Sequence, residues 1–277
     1  MSRAVQNFAG LVAVLAGHEV VDLSLLLAED LPCYWSTHQP FQHKTWNWFA
    51  TRRSAAGNVY QRGGPYATRW LALDEHTGTH VDAPCHFVPP PDSGLPDAGP
   101  AGAITVADVP LTQLIGPAAV IDAPAAVGAP GESPLIEPGV VTEWERAHGE
   151  LAAGDVVLFR SGWDRHYLPG PDGADYVHNV VVTGGSPGWP APSVSTMELL
   201  LSRGVRCVGT DGVSMGPAQD GRPVHVAGLS AGAVFVECLA GLSGLPARGA
   251  LFCFLPLRVE GGTGGPGRAI AFRPGAG

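Results

Sequence analysis

The chain has 277 residues, of which 45% are hydrophobic and 15% charged, and its formal net charge is −9. This composition is typical of a folded globular protein and excludes a largely disordered chain. The negative charge, with Lys44 as the single lysine, argues against a nucleic-acid-binding surface, which needs a basic stripe. The length suits one large domain or two small ones.

The five cysteines are scattered, and none forms a Cys-x-x-Cys pair: Cys33, Cys85, Cys207, Cys238 and Cys253. An odd, scattered set indicates free thiols in a reducing compartment. The apolar start, residues 8–16, is too short to cross a membrane, and we interpret it as a short amphipathic helix that enters the fold. We therefore expect a cytoplasmic protein that does not bind membranes.

The first predicted strand covers residues 19–24, and two irregular segments follow. Residues 35–66 are rich in aromatic side chains and histidine, and Trp35, Trp46, Trp48 and Phe49 are candidates to line an apolar pocket. Residues 89–103 consist mostly of Pro, Gly, Asp and Ala, which predicts a surface loop.

Further along the chain, strands and helices alternate. Runs of β-branched and aromatic residues predict strands at 118–121, 155–160, 205–209, 234–236, 250–257 and 269–272. One helix is predicted at 142–148, after Pro138 and Gly139. A second is predicted from about 195 to 203, with Ser195 and Glu198 as a capping box and Gly204 as its end. Because this helix leads directly into a strand, the pattern indicates an α/β core.

One short segment before the 89–103 loop carries a cluster of candidate metal ligands. Three of the ten histidines and one aspartate lie within eleven residues: His76, His80, Asp82 and His86. Imidazole and carboxylate together suit Zn²⁺, Mn²⁺ or Fe²⁺. Thr77-Gly78-Thr79 is poor helix and Pro84 would disrupt the last turn, so an extended segment is favoured, with His80 and Asp82 on one side of a strand.

A further potential ligand, Glu237, lies far downstream. Glu237 sits within the apolar run 233–239, where an unpaired carboxylate would be costly to bury. A cation nearby would remove that cost. A bound metal lowers the pKa of its water toward ~7. His86, which lies beyond Pro84 in the chain, is the candidate general base that would accept a proton from this water.

Three other interpretations compete with metal-dependent hydrolysis. Gly212-Val-Ser214-Met-Gly216 fits the nucleophile elbow of serine hydrolases, although Pro217 follows where a helix should begin. His76, His80 and Asp82 would also suit an Fe(II) oxygenase or a non-catalytic metal-binding module. Residues 262–267 partly match a dinucleotide-binding loop, but a strand is predicted after them, so we interpret them as a turn at a sheet end.

The segment from His76 to Phe87, His-Thr-Gly-Thr-His-Val-Asp-Ala-Pro-Cys-His-Phe, resembles the signature of the cyclase family, which includes bacterial kynurenine formamidases and isatin hydrolases. Similarity extends to Val-Val-Asp-Leu-Ser at 20–24, Pro-Gly at 187–188, residues 203–211, His225 with Glu237, and the Gly-rich end at 261–269. The chain departs from the family at residues 214–216, where relatives often have Ser-x-Asp.

The resemblance implies one α/β domain over residues 1–277, with a curved, barrel-like mixed sheet, flanking helices, and insertions near 35–70 and 90–145. It implies one or two Zn²⁺ or Mn²⁺ ions held by His76, His80 and Asp82, with Asp82 bridging to a second ion held by His225 and Glu237. His86 would then be the general base. The expected activity is hydrolysis of an amide-type C–N bond in a small cyclic or N-acyl aromatic substrate, by a homodimer or higher homo-oligomer. A cyclase or dehydratase acting on a secondary-metabolite intermediate is the alternative.

Overall fold

A computed structural model describes residues 16–49, 51–61, 63–123 and 127–275. The helix predicted at 8–16 lies outside these ranges except for its last residue. In the described part of the chain, no helix is both long enough and apolar enough to cross a membrane.

Short strands predominate over helices in the described residues. In chain order, the strands are β1 (His18–Asp22), β2 (Gln42–Trp48), β3 (Arg52–Arg53), β4 (Val59–Gln61), β5 (Ala67–Ala72), β6 (His80–Asp82), β7 (Ile115–Asp122), β8 (Leu135–Ile136), β9 (Val156–Arg160), β10 (Ala191–Pro192), β11 (Cys207–Thr210), β12 (Val234–Glu237), β13 (Leu251–Pro256) and β14 (Gly264–Pro274). The α-helices are α1 (Pro138–His148), α2 (His178–Val181), α3 (Val194–Ser202) and α4 (Arg222–Ser230).

Within the described ranges, seven strands close into a barrel in the order β14-β13-β7-β9-β11-β12-β6 and back to β14. Strands β7, β9, β11 and β12 pair in parallel, whereas β6, β13 and β14 pair antiparallel. The ring closes because the long strand β14 pairs through residues 264–266 with β6 and through residues 267–272 with β13. Strand β1 adds to β14 outside the ring. The predicted fold class, α/β with a barrel-like mixed sheet, is confirmed.

The central strands are buried on both faces, as continuous apolar runs require. Alternate residues such as Val120, Leu158 and Val236 enter one core cluster, and their neighbours enter a second. The second cluster includes Met197 of α3 and Val224 of α4. The barrel wall is therefore packed on both sides, and this holds the short strands β6 and β12 in a fixed register.

All seven predicted strands are confirmed, with ends that differ by up to about five residues. Helix α1 is confirmed but begins at Pro138, because proline is tolerated in the first helical turn. The predicted capping box at Ser195 and Glu198 is wrong. The cap is Ser193, whose side chain accepts a hydrogen bond from the Thr196 N–H at 3.2 Å.

Two segments differ from the predicted loops. Residues 42–48 and 67–72 pair as the antiparallel strands β2 and β5. The glycine-rich run 262–267 is not a turn at a sheet end, since β14 already begins at Gly264. A Cβ at Gly264 would lie 2.7 Å from His76 Nε2 and 2.8 Å from the Val81 carbonyl oxygen. Glycine at this position therefore allows β14 to pass directly beside His76.

Candidate metal centre

Strand β6 carries two of the candidate ligands. Its three residues are buried, and their alternation puts His80 and Asp82 on one face and Val81 on the other, in the core. The strand is hydrogen-bonded on both edges, to β12 and to β14. The extended segment predicted from Thr77-Gly78-Thr79 and Pro84 is thus present, and its two polar side chains point the same way.

Strand β12 places Glu237 on the same face. In the antiparallel register, Glu237 lies opposite His80, and Phe235 lies opposite Asp82. Glu237 is 4% exposed, and the backbone N–H of Met215 donates a hydrogen bond to its Oε1 at 2.5 Å. The carboxylate is therefore as buried as its apolar neighbours predicted.

His225 approaches from the first turn of α4. Its Nδ1 donates a hydrogen bond to the Gly221 carbonyl oxygen at 2.7 Å, which directs Nε2 towards the carboxylates. His80 is held in the same manner, with Nδ1 2.8 Å from the Gly78 carbonyl oxygen. Both rings are thereby fixed in the tautomer that a metal ligand needs.

His76 comes from the turn before β6 and is held by Asp74, a residue that the sequence motif does not include. Asp74 Oδ1 lies 3.3 Å from His76 Nδ1 and accepts a hydrogen bond from the His76 backbone N–H at 2.9 Å. Sequence reasoning missed this residue. A carboxylate two residues before a candidate histidine ligand is the signal that could have identified it.

The five candidate ligands form two groups that share Asp82. One group is His76, His80 and Asp82, and the other is Asp82, His225 and Glu237; within each, the ligand atoms lie within 4.8 Å of one another. Asp82 Oδ1 is 3.4 Å from Nε2 of both His76 and His80, while Oδ2 is 3.6 Å from His225 Nε2. Donors about 2.1 Å from one tetrahedral ion would be about 3.4 Å apart, so these spacings fit metal coordination.

The unpaired atoms support the same interpretation. Among the residues that the structure describes, His76 Nε2 and both Asp82 carboxylate oxygens are buried without a hydrogen-bond partner. A buried carboxylate with two unpaired oxygens is costly unless a cation compensates it. The donor set of imidazole nitrogens and carboxylate oxygens is one that Zn²⁺ or Mn²⁺ accepts.

The electrostatics also indicate that the site attracts positive charge. Burial alone would lower the pKa of His80 and of His225, but the adjacent carboxylates raise the pKa of both. Burial alone would raise the pKa of Asp82 and of Glu237, but the surrounding histidines hold both below their usual values. Protons on histidine can balance two buried carboxylates, and a divalent ion can replace them.

His86 lies beside the ligands. After β6, residues Pro84–His86 form a 3₁₀ turn that stacks the His86 ring on His76, with ring centroids 4.0 Å apart. Burial lowers the pKa of His86, although the nearby Asp82 carboxylate acts in the opposite direction. The lowered pKa favours a neutral ring at pH 7. The following residue, Phe87, stacks on His225 at 4.1 Å.

The ligands and His86 line a cavity of about 280 Å³, near the lower limit for small-molecule sites. Its remaining wall is largely apolar and aromatic, with Leu25, Trp35, Phe87 and Val213 among its residues. Trp35 is held by an edge-to-face contact with the buried Trp189. Trp46, Trp48 and Phe49 do not line this cavity and are 54–70% exposed, so only Trp35 of the four candidates meets the prediction.

Ser214 also lines the cavity, 3.4 Å from His225 Nε2. The next helix, α4, begins eight residues later, so the strand-to-helix turn of a nucleophile elbow is not formed. The other nitrogen of His225 faces the Gly221 carbonyl, where a catalytic triad would place an acid. The arrangement therefore does not support the serine hydrolase.

Comparison with known proteins identifies the family. The family model described as "Putative cyclase" matches residues 21–217. An isatin hydrolase of Roseibium aggregatum is 34% identical over 223 residues, covering 78% of each chain. The chain belongs to the cyclase family. A kynurenine formamidase of Salinibacter ruber is 30% identical over 236 residues, covering 83% of this cyclase-family chain and 87% of its own.

Solved structures agree with this assignment. An isatin hydrolase bound to the product analogue thioisatinate superposes with a TM-score of 0.77 at 26% identity, covering 99% of this chain and 100% of the other. A structure from Bacillus stearothermophilus, described as a predicted metal-dependent hydrolase, shares the fold with a TM-score of 0.60 at 23% identity, covering 92% of this chain and 98% of the other. This cyclase-family protein groups with hydrolases of amide-type C–N bonds, and its His, Asp and Glu side chains form a candidate metal centre.

Proposed function

We propose that the chain hydrolyses a small aromatic amide, cyclic or N-acylated, of the kind that isatin and N-formylkynurenine represent. The observation that carries the proposal is the convergence of unpaired donor atoms, His76 Nε2 and both Asp82 oxygens, in a small aromatic cavity. A cavity of about 280 Å³ suits a substrate of one or two rings. The names of the relatives, isatin hydrolase and kynurenine formamidase, support this substrate class.

We propose Zn²⁺ or Mn²⁺ as the metal, with His76, His80 and Asp82 as ligands of one ion and Asp82, His225 and Glu237 available for a second. When bound, such an ion supplies Lewis acidity, which polarises a carbonyl oxygen and acidifies water. Asp82 and Glu237 provide the negative charge that retains it. The hydrogen bonds on Nδ1 of His80 and His225 keep the donor nitrogens directed inward.

His86 is proposed as the general base. Its neutral ring accepts a proton from the attacking water as the new C–O bond forms at the amide carbon. It returns that proton to the nitrogen as the C–N bond breaks, which releases an amine and a carboxylic acid. Phe87 and Trp35 shield the reacting groups from bulk water and hold the aromatic ring of the substrate.

The oligomer and the compartment are part of the proposal. Strands β2 and β5 form a separate two-stranded sheet with exposed Trp48 and Trp70, 54% and 43% exposed. Because an isolated two-stranded sheet is marginally stable, we propose that a second copy of the chain covers this surface in a homodimer. The free cysteines fit a reducing cytoplasm.

The test is hydrolysis of isatin and N-formylkynurenine by the purified protein before and after chelation. We expect activity to disappear with EDTA and to return with Mn²⁺ or Zn²⁺, with one or two equivalents bound. A Ser214→Ala variant should keep its metal and remain sensitive to EDTA. Activity that survives complete metal removal, or that requires O₂, would overturn the proposal.

A further inference from the structure

Thr79, the residue before the candidate ligand His80, lies where three distant segments of the chain meet. Its side chain is buried, with 3% of its surface exposed. The hydroxyl donates a hydrogen bond to the Cys238 carbonyl at 2.6 Å and accepts one from the Leu25 N–H at 2.9 Å. This single hydroxyl therefore joins the turn before β6 to the segment after β1 and to the segment after β12.

Each of the three joined segments contributes to the metal centre or to its cavity. Cys238 directly follows the candidate ligand Glu237, just as His80 directly follows Thr79. Leu25 and Cys238 both line the cavity that contains the candidate ligands. The two hydrogen bonds of Thr79 are thus made one residue away from two of those ligands.

The Thr79 hydroxyl takes over where the backbone pairing of β6 with β12 ends. The last pair in register places Glu237 opposite His80. Cys238 would face Thr79 next, but its φ of 58° is left-handed and its N–H donates to the Gly212 carbonyl at 3.0 Å. A residue in this conformation does not continue a strand. The hydroxyl therefore replaces a backbone bond and fixes the chain where Glu237 Oε2 lies 3.5 Å from His80 Nε2.

Thr77 shows that a buried threonine in this turn does not by itself make such a connection. It lies two residues earlier and is fully buried. Among the residues that the structure describes, however, its hydroxyl has no hydrogen-bond partner. Position 77 thus accommodates the shape of threonine, whereas position 79 also uses its hydroxyl.

We infer that Thr79 is a positioning residue of the metal centre, whose hydroxyl aligns Glu237 with His80. These two residues belong to different groups of candidate ligands, so their alignment sets the spacing of the two groups around Asp82. The inference rests on the proposed function, because it requires this centre to bind metal. Removing an outer partner of metal ligands typically weakens metal binding 10–100-fold. Since Thr79 acts through the backbone, we expect a loss near the lower limit, about tenfold.

The experiment measures Zn²⁺ affinity by competition with a fluorescent chelator, and the Tm of the metal-free full-length protein. Thr79→Val keeps the shape of the side chain but leaves the Cys238 carbonyl and the Leu25 N–H unpaired, so its Tm should fall. Its affinity for Zn²⁺ should fall about tenfold. Thr79→Ser keeps the hydroxyl but leaves a small cavity, so its Tm should also fall, while its affinity stays at the wild-type value.

Thr77→Val is the matched control, because it removes a hydroxyl that has no partner in the described part of the chain. It should keep the wild-type affinity and should not lower the Tm. If Thr79→Val does not fold, Thr79→Cys replaces it, and its weaker donor should give an intermediate affinity.

Wild-type affinity in folded Thr79→Val or Thr79→Cys would overturn the inference alone, since Thr79 would then stabilise only the fold. An equal loss of affinity in Thr79→Ser would also overturn it, because the hydroxyl would not be the group responsible. A wild type that binds no Zn²⁺ would instead overturn the proposed function together with this inference.

Discussion

His86 differs from the three neighbouring histidines in its position relative to the buried carboxylates. His76, His80 and His225 direct Nε2 at a carboxylate oxygen 3.2–3.6 Å away, whereas His86 is outside both groups of candidate ligands. His86→Ala should therefore retain its metal and lower kcat by about 10²–10⁴-fold, the usual contribution of a general base. Metal analysis and steady-state kinetics on the same preparation check this. Loss of metal comparable to that in His76→Ala would make His86 a ligand.

Asp74 lies 3.3 Å from His76 Nδ1 and is positioned to orient this candidate metal ligand. Removing a carboxylate that orients a histidine ligand typically weakens metal binding 10–100-fold. Asp74→Ala should show a loss of that size in competition with a fluorescent chelator, without unfolding. Asp97→Ala is the control, because Asp97 is an exposed residue paired with Arg222. Equal affinity in the two variants would show that Asp74 does not orient a ligand.

At the residue scale, the candidate ligands could be predicted because both their close spacing and their burial are recognisable in the sequence. The close-set histidines and a glutamate inside an apolar run are visible without coordinates. The hydrogen bond from the Met215 N–H to Glu237 could not be predicted, because it joins segments that are distant in the sequence.

Among the elements, the passage of β14 beside β6 is the tightest constraint on the site. Gly264→Ala would place a methyl group 2.7 Å from His76 Nε2, so His76 or the strand must shift. We expect a loss of about 1–3 kcal/mol in the free energy of unfolding, as in overpacked cores, together with weaker metal binding. Thermal unfolding and metal titration measure the two effects.

Gly139→Ala provides the contrast for this variant. Gly139 lies in α1, and an added Cβ there has no neighbouring atom within 4 Å among the described residues. It should stabilise the protein slightly, since alanine favours helix by about 0.5–1 kcal/mol, and leave the metal unaffected. Wild-type metal affinity in Gly264→Ala would show that the close approach is not required.

The barrel strands were predictable because β-branched runs buried on both faces are conspicuous. The pairing of β2 with β5 was not predictable, because residues 42–48 mix polar and aromatic side chains without clean alternation. The cap of α3 was misplaced because Ser193 and Ser195 are equally good candidates in sequence. The short pairing of β10 with β8 decides between them, since it holds Pro192 extended and leaves Ser193 to begin the helix.

For the whole molecule, the two-stranded sheet of β2 and β5, with its exposed tryptophans, has the most direct consequence in solution. If a second copy covers it, Trp48→Glu should weaken the dimer about a hundredfold or more, as expected for a buried aromatic anchor. Light scattering after size exclusion would then show a monomer at micromolar concentration. Leu111→Glu, an exposed apolar residue before β7, should remain dimeric. A wild type that is monomeric at high concentration would contradict the proposed dimer.

The ring closure between β6 and β14 also imposes an order on biosynthesis. His76, His80 and Asp82 lie in the first third of the chain, yet the strand that seals their edge of the sheet is residues 264–266. Residues 264–266 must therefore be translated before this edge of β6 can be paired. Until then, the backbone groups along that edge have no strand partner. We therefore expect the candidate ligands to be enclosed only after the segment that becomes β14 has been translated.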